Sequence, residues 1–161
     1  MRSKLVARYA LLVALAMVLS WLESLVPLSV AVPGVKLGLT NLVVIFALYR
    51  MSLRDAAVIS LVRVALVSMT FGNAYSLAYS LAGAMLSLGV MALLKKTGQF
   101  SMVGVSVAGG VCHNIGQILV AIAVLGTARI AWYLPVLLLT GLTAGVCVGV
   151  VGGILTHRIR I

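Results

Sequence analysis

Long apolar blocks run along this chain, and charges or Pro and Gly turns interrupt them at intervals. Most blocks approach the ~20 residues that a helix needs to cross a hydrocarbon core. They predict six helices: Leu5 to Leu25, Leu37 to Tyr49, Leu53 to Thr70, Ala74 to Leu94, Met102 to Leu125 and Tyr133 to Thr156. The second is short, about 13 residues, so it tilts little or begins inside the protein, where irregular backbone is tolerated. Its approach carries Pro27, Pro33 and Gly34, which punctuate a helix instead of extending it. Arg2, Lys4 and Arg8 precede the first block in the manner of a signal peptide. The run is long, however, Glu23 follows it, and no small-x-small cleavage site is well placed, so an uncleaved first helix is expected.

Composition turns the pattern into a class. Hydrophobic residues make up 63% of the 161 positions and charged residues 9%, against about 25% charged in soluble domains; the mean hydropathy is +1.25. The expectation is an all-α polytopic membrane protein, a single transmembrane bundle over residues 1–161, with no room for a soluble catalytic domain. Cys112 and Cys147 lie inside apolar blocks without ligand spacing and read as small buried residues.

Charge then orients the bundle. Arg2, Lys4, Arg8, Arg50, Arg54, Lys95, Lys96, Arg158 and Arg160 fall on one side, and only Lys36 and Arg129 on the other. Basic loops face the cytoplasm, so both termini are expected there. The net charge of +10 is then a rim facing anionic lipid, and no nucleic acid is needed to explain it.

Four polar side chains lie too deep for comfort. His113, Asn114 and Gln117 share one broad face of the fifth helix by their i, i+3 and i, i+4 spacing. Arg63 is about ten residues into the third helix and His113 about eleven into the fifth, so both reach roughly 15 Å from the cytoplasmic side. An arginine at that depth costs at least about 2.5 to 3.5 kcal/mol, which marks it as a functional candidate. The alternative is that Arg63 locks helices together through backbone carbonyls or through Asn114 and Gln117. Nearer the outside, Glu23 ends the first helix, Lys36 precedes the second, and Thr40 and Asn41 fall in its first turn. The free N–H groups of that turn seat an anion, which Lys36 would reinforce. Asn73, Tyr75 and Tyr79 surround the outer start of the fourth helix. A solvated loop with a weak Glu23–Lys36 pair and an interfacial tyrosine belt is the alternative reading.

Small residues predict the packing. Gly141, Gly145, Gly149 and Gly153 recur every four residues in the last helix, a GxxxG ladder for close helix approach. Ser106 and Gly110 repeat the spacing in the fifth helix, with Gly109 and Gly116 flanking the His113 face; Ser76, Ser80 and Ala84 do so in the fourth. Ala10, Ala14, Ala16 and Ser20 put small residues along the first helix, fit for a neighbouring helix or for a separate membrane partner.

Three stretches carry a resemblance. Pro33-Gly34-Val35-Lys36-Leu37-Gly38-Leu39-Thr40-Asn41, His113-Asn114-Ile115-Gly116-Gln117 and Tyr133-Leu134-Pro135 resemble the bacterial membrane family called heptaprenyl diphosphate synthase component I, or the Gx transporter family. The resemblance covers nearly the whole chain. That family is similar to the S-components of energy-coupling factor transporters, six-helix proteins that bind vitamins or similar small molecules from outside. In those proteins an AxxxA pattern on the first helix meets the coupling subunit, and Ala10 and Ala14 match it.

The enzyme in the family name meets a chemical objection. Prenyl diphosphate synthases hold magnesium diphosphate on aspartate clusters, because hard cations want several carboxylate oxygens. This chain has two acids, Glu23 and Asp55, expected at opposite faces. It also lacks an ATPase motif, a Ser/His/Asp set and a metal cluster, since His113 and His157 lie at different depths. No cofactor and no catalysis by the chain alone are expected. Two functions stay open. In the first, a small ligand, anionic to suit Lys36 and Arg63, enters from outside to Arg63, His113, Asn114, Gln117, Lys36, Asn41, Glu23 and Tyr79, and separate ATPase and coupling subunits drive uptake. In the second, the chain is a membrane partner of heptaprenyl diphosphate or menaquinone precursor synthesis, and loops 50–54 and 95–99 dock a prenyl diphosphate synthase subunit.

Overall fold

A computed structural model of the chain describes residues 2–25 and 38–159. Lys36 and the loop that carries it lie outside the described residues. Six α-helices fill most of the rest: α1 (Arg2–Leu25), α2 (Leu39–Arg50), α3 (Leu53–Phe71), α4 (Ala74–Thr97), α5 (Met102–Leu125) and α6 (Leu134–Arg158). A 3-10 helix, Ala128–Tyr133, leads into α6; it fills most of the stretch that the apolar pattern leaves between the last two helices.

Local chemistry sets the boundaries. Ser52 and Asp55 form a capping box at the start of α3, with Ser52 N donating to Asp55 Oδ2 at 2.9 Å and Asp55 N to Ser52 Oγ at 3.2 Å. Asn73 and Ser76 do the same for α4, and Ser101 caps α5 through Gly104 N. Each such cap satisfies backbone donors that the first turn leaves open. α4 and α5 end on Gly98 and Gly126, both with positive φ, the left-handed geometry that closes a helix without a Cβ clash.

Helices α1, α4, α5, and α6 with its 3-10 lead-in are long and apolar enough to cross a membrane. α3 has 19 residues, about 28 Å of helix, with Arg63 near its middle. The 12-residue α2 is the buried centre: Val43, Val44, Ile45, Phe46, Ala47 and Leu48 are all inside, and α1, α3 and α6 pack around it. Large apolar side chains such as Leu11, Val18, Leu93 and Leu139 point outward, a surface that water would penalise and lipid accepts. On α1, Leu12, Ala16 and Ser20 face inward, whereas Ala10 and Ala14 are exposed.

α5 makes the most extensive contacts, with α4 on one side and α6 on the other. A Cβ on Gly110 would stand 2.5 Å from the carbonyl oxygen of Gly141, and one on Gly145 or Gly149 would stand 2.6 Å from Val107 Cα or Val103 Cα. Backbones this close exclude any side chain. Gly153 corrects the four-step ladder, for nothing lies within 4 Å of where its Cβ would be. Each step of four residues overshoots a full turn by about 40°, so a ladder that starts against α5 rotates off it by Gly153. Gly152 instead turns inward, with a Cβ position 3.2 Å from Ile45 of α2.

One end of the bundle is knit by polar bonds. Tyr9 donates to Asp55, tying α1 to α3. Lys95 Nζ donates to Leu48 O at 2.5 Å and sits 5.0 Å over the Tyr49 ring, tying α4 to the C-terminal end of α2. Arg50 Nη2 reaches Ile159 O at 3.0 Å. This end gathers the N-terminus of α1 and the C-termini of α2, α4 and α6, and with them Lys4, Arg8, Arg54, Lys96 and Arg158; Arg129 follows α5 at the other end.

Candidate functional site

A cavity of about 380 Å³ lies between the helices, toward the end opposite the basic rim. Five of the residues singled out from the sequence line it: Glu23 from α1, Asn41 from α2, Arg63 from α3, and His113 and Asn114 from α5. Arg63 and His113, placed at one depth by counting residues, thus face the same space.

Arg63 is 7% exposed. Its Nη1 donates to Thr40 Oγ1 in the first turn of α2. Its Nε is buried and has no hydrogen-bond partner among the described residues. A guanidinium carries five N–H donors and no acceptor, so Arg63, which lines the cavity, has more donors than Thr40 alone can take. Arg63 bonds neither Asn114 nor Gln117, and its bond to Thr40 joins α3 to α2.

Glu23 works at the mouth. Its Oε1 accepts the Gly38 N–H at 2.6 Å, and its charge attracts the Arg63 guanidinium. Gly38, with φ 70°, precedes α2 and offers no side-chain cap. A carboxylate from α1 therefore serves the positive end of α2, where a negative group is favoured. Part of the anion seat expected there is taken by the protein itself.

Asn114 divides its amide. Nδ2 donates to Leu137 O of α6, the same carbonyl that Thr140 Oγ1 reaches at 3.0 Å, so this half of the side chain joins α5 to α6. Oδ1 makes no hydrogen bond among the described residues. The His113 ring edge packs on α4, with Cε1 3.0 Å from the Cβ position of Gly83. Only a glycine at 83 lets α5 bring His113 this close while its side chain borders the cavity.

Two candidates fall elsewhere. Gln117 is one turn past His113, and its Cγ packs 3.1 Å from the Gly83 Cβ position in the α4–α5 contact; it does not line the cavity. Tyr79 does not line it either, and Asn73 spends its side chain capping α4. Thr40, outside the expected ligand contacts, and Ser20, Ser76 and Ser80, expected in packing, all border the cavity, as does Ser68. The signal for Thr40 was its place beside Asn41 in the first turn of a short helix. Ser76 and Ser80 share a helix face by their i, i+4 spacing, a pattern that suits packing and a polar wall equally.

The arrangement can hold a small polar molecule that brings a negatively charged oxygen to Arg63 and hydrogen-bonding groups to the hydroxyl-lined wall. Among the described residues no three of His, Cys, Asp or Glu gather into a metal site.

Residues 12–155 match the family model described as heptaprenyl diphosphate synthase component I. No curated protein and no solved structure matches the chain.

Proposed function

The chain belongs to the heptaprenyl diphosphate synthase component I family, and from that premise we propose that it is a non-catalytic membrane subunit that captures a small anionic molecule in the cavity around Arg63. The observation that carries this reading is Arg63, a buried cation on the wall of a cavity of about 380 Å³. Burying a cation costs several kcal/mol, and a carboxylate or phosphoryl oxygen of a ligand adds to what the charge of Glu23 offsets. Asn41, His113 and Asn114 give such a ligand its orientation, and Glu23 sets a limit on its total negative charge. With the basic rim at the cytoplasmic face, the cavity receives its ligand from outside. Uptake then needs a coupling subunit and ATPases, and the exposed Ala10 and Ala14 leave one face of α1 open to such a partner.

The family description favours a second reading, and of the two it stands nearer to the family name: the membrane component of a heptaprenyl diphosphate synthase, with catalysis in another subunit. The two acids of this chain, Glu23 and Asp55, belong to different ends of the bundle and do not make a magnesium diphosphate site. Loops 50–54 and 95–99 at the basic end would dock the synthase. Capture of partners from the native membrane separates the readings: an ATPase with a coupling subunit supports uptake, and a soluble prenyl synthase supports the second.

A further inference from the structure

The α5–α6 contact that closes tightly at Gly141, Gly145 and Gly149 opens toward the basic end. There a groove of about 490 Å³ runs along the outside of the bundle, lined by Met102, Val103, Val150, Gly153, Ile154 and, at its end, His157 and Arg158. Gly153 leaves a notch in its floor, with nothing within 4 Å of the Cβ position. Val150 and Ile154 are exposed beside it. His157 and Arg158 occupy the last turn of α6, both exposed, and the Arg50 bond to Ile159 O fixes the backbone just beyond them.

We propose that this groove binds one anionic phospholipid, with an acyl chain along the Gly153 notch and the phosphodiester on Arg158 and His157. Length and charge choose this occupant. From Gly149 to Arg158 the groove follows α6 for about 14 Å, close to one leaflet of a hydrocarbon core about 30 Å thick. An acyl chain fits that length. A partner helix would need a seat across both leaflets, and the upper part of the glycine stripe is already filled by α5. The basic pair stands where a headgroup lies, and arginine pairs with phosphate through two parallel N–H donors.

The test is native mass spectrometry of the full-length protein released from nanodiscs of equal phosphatidylglycerol and phosphatidylcholine. The wild type retains one phosphatidylglycerol in preference. Arg158→Gln lowers that preference about fivefold, and Gly153→Leu, which fills the notch without touching a neighbour, removes the retained lipid while the melting temperature stays. Arg54→Gln, a rim charge outside the groove, leaves retention as it is. Equal retention of both lipids, retention unchanged in Arg158→Gln and Gly153→Leu, or a dimer that Gly153→Leu abolishes would overturn the proposal.

Discussion

Arg63 of α3 donates to Thr40 of α2, across 23 positions of sequence, and this bond is the only one Arg63 makes among the described residues. It holds the guanidinium at the cavity wall. Thr40→Val, which keeps the shape and removes the acceptor, should lower stability by about 1 to 3 kcal/mol, because a buried charged donor loses its partner. Thermal unfolding in detergent checks this. In a double-mutant cycle, Thr40→Val should cost less when Arg63 is already Met, since the two residues share one interaction.

Glu23 has two separable roles. Glu23→Gln keeps an oxygen for Gly38 N–H and removes the charge, so the bundle should melt within a few degrees of the wild type. Glu23→Ala loses the cap of α2 and should cost about 0.5 to 2 kcal/mol. Binding of an anionic ligand should tighten in Glu23→Gln, where the opposing charge is gone. A melting curve and a titration of the same two variants measure both effects.

The glycines of α6 should divide sharply. Gly145→Leu drives a side chain into the backbone of Val107, and overpacking of that kind costs 1 to 3 kcal/mol or more. Its expression and heat resistance should fall. Gly153→Leu has open space and should express and melt as the wild type does. Equal behaviour of the two would mean that α5 and α6 do not cross as described.

On α5, His113 and Gln117 should also part company. His113→Ala removes a group that lines the cavity and should abolish ligand retention in a bundle that still folds. Gln117→Ala changes the α4–α5 contact and should leave retention within about twofold of wild type while it lowers the melting temperature, in line with a loss of packing area. Ligand retention and melting measured on one preparation resolve the pair.

Much of this architecture is written in the chain at short range. α5 begins and ends where the apolar block does, because Ser101 caps one end and Gly126 closes the other. α3 starts at Leu53 for a like reason, with Ser52 and Asp55 in its capping box. The depth of Arg63 and His113 follows from residue counting, which works because a helix rises uniformly. What escaped depends on distant partners. Glu23 finding Gly38, and Thr40 accepting from Arg63, require the packing of α1, α2 and α3. His113 and Gln117 share a polar spacing and both pack on Gly83, yet only His113 borders the cavity, a difference set by the packing of α4 on α5. Gly153 misled because a period of four resembles a straight stripe only over short lengths.

The central claim is that Arg63 holds the anionic group of a captured molecule. Native mass spectrometry of the protein purified from its own membrane, beside Arg63→Gln prepared in the same way, tests it most directly. The account predicts that the wild type carries a small molecule with a carboxylate or phosphate and that Arg63→Gln, folded by circular dichroism, carries none. Equal occupancy of the same molecule in both proteins, or a retained molecule without an acidic group, would contradict it.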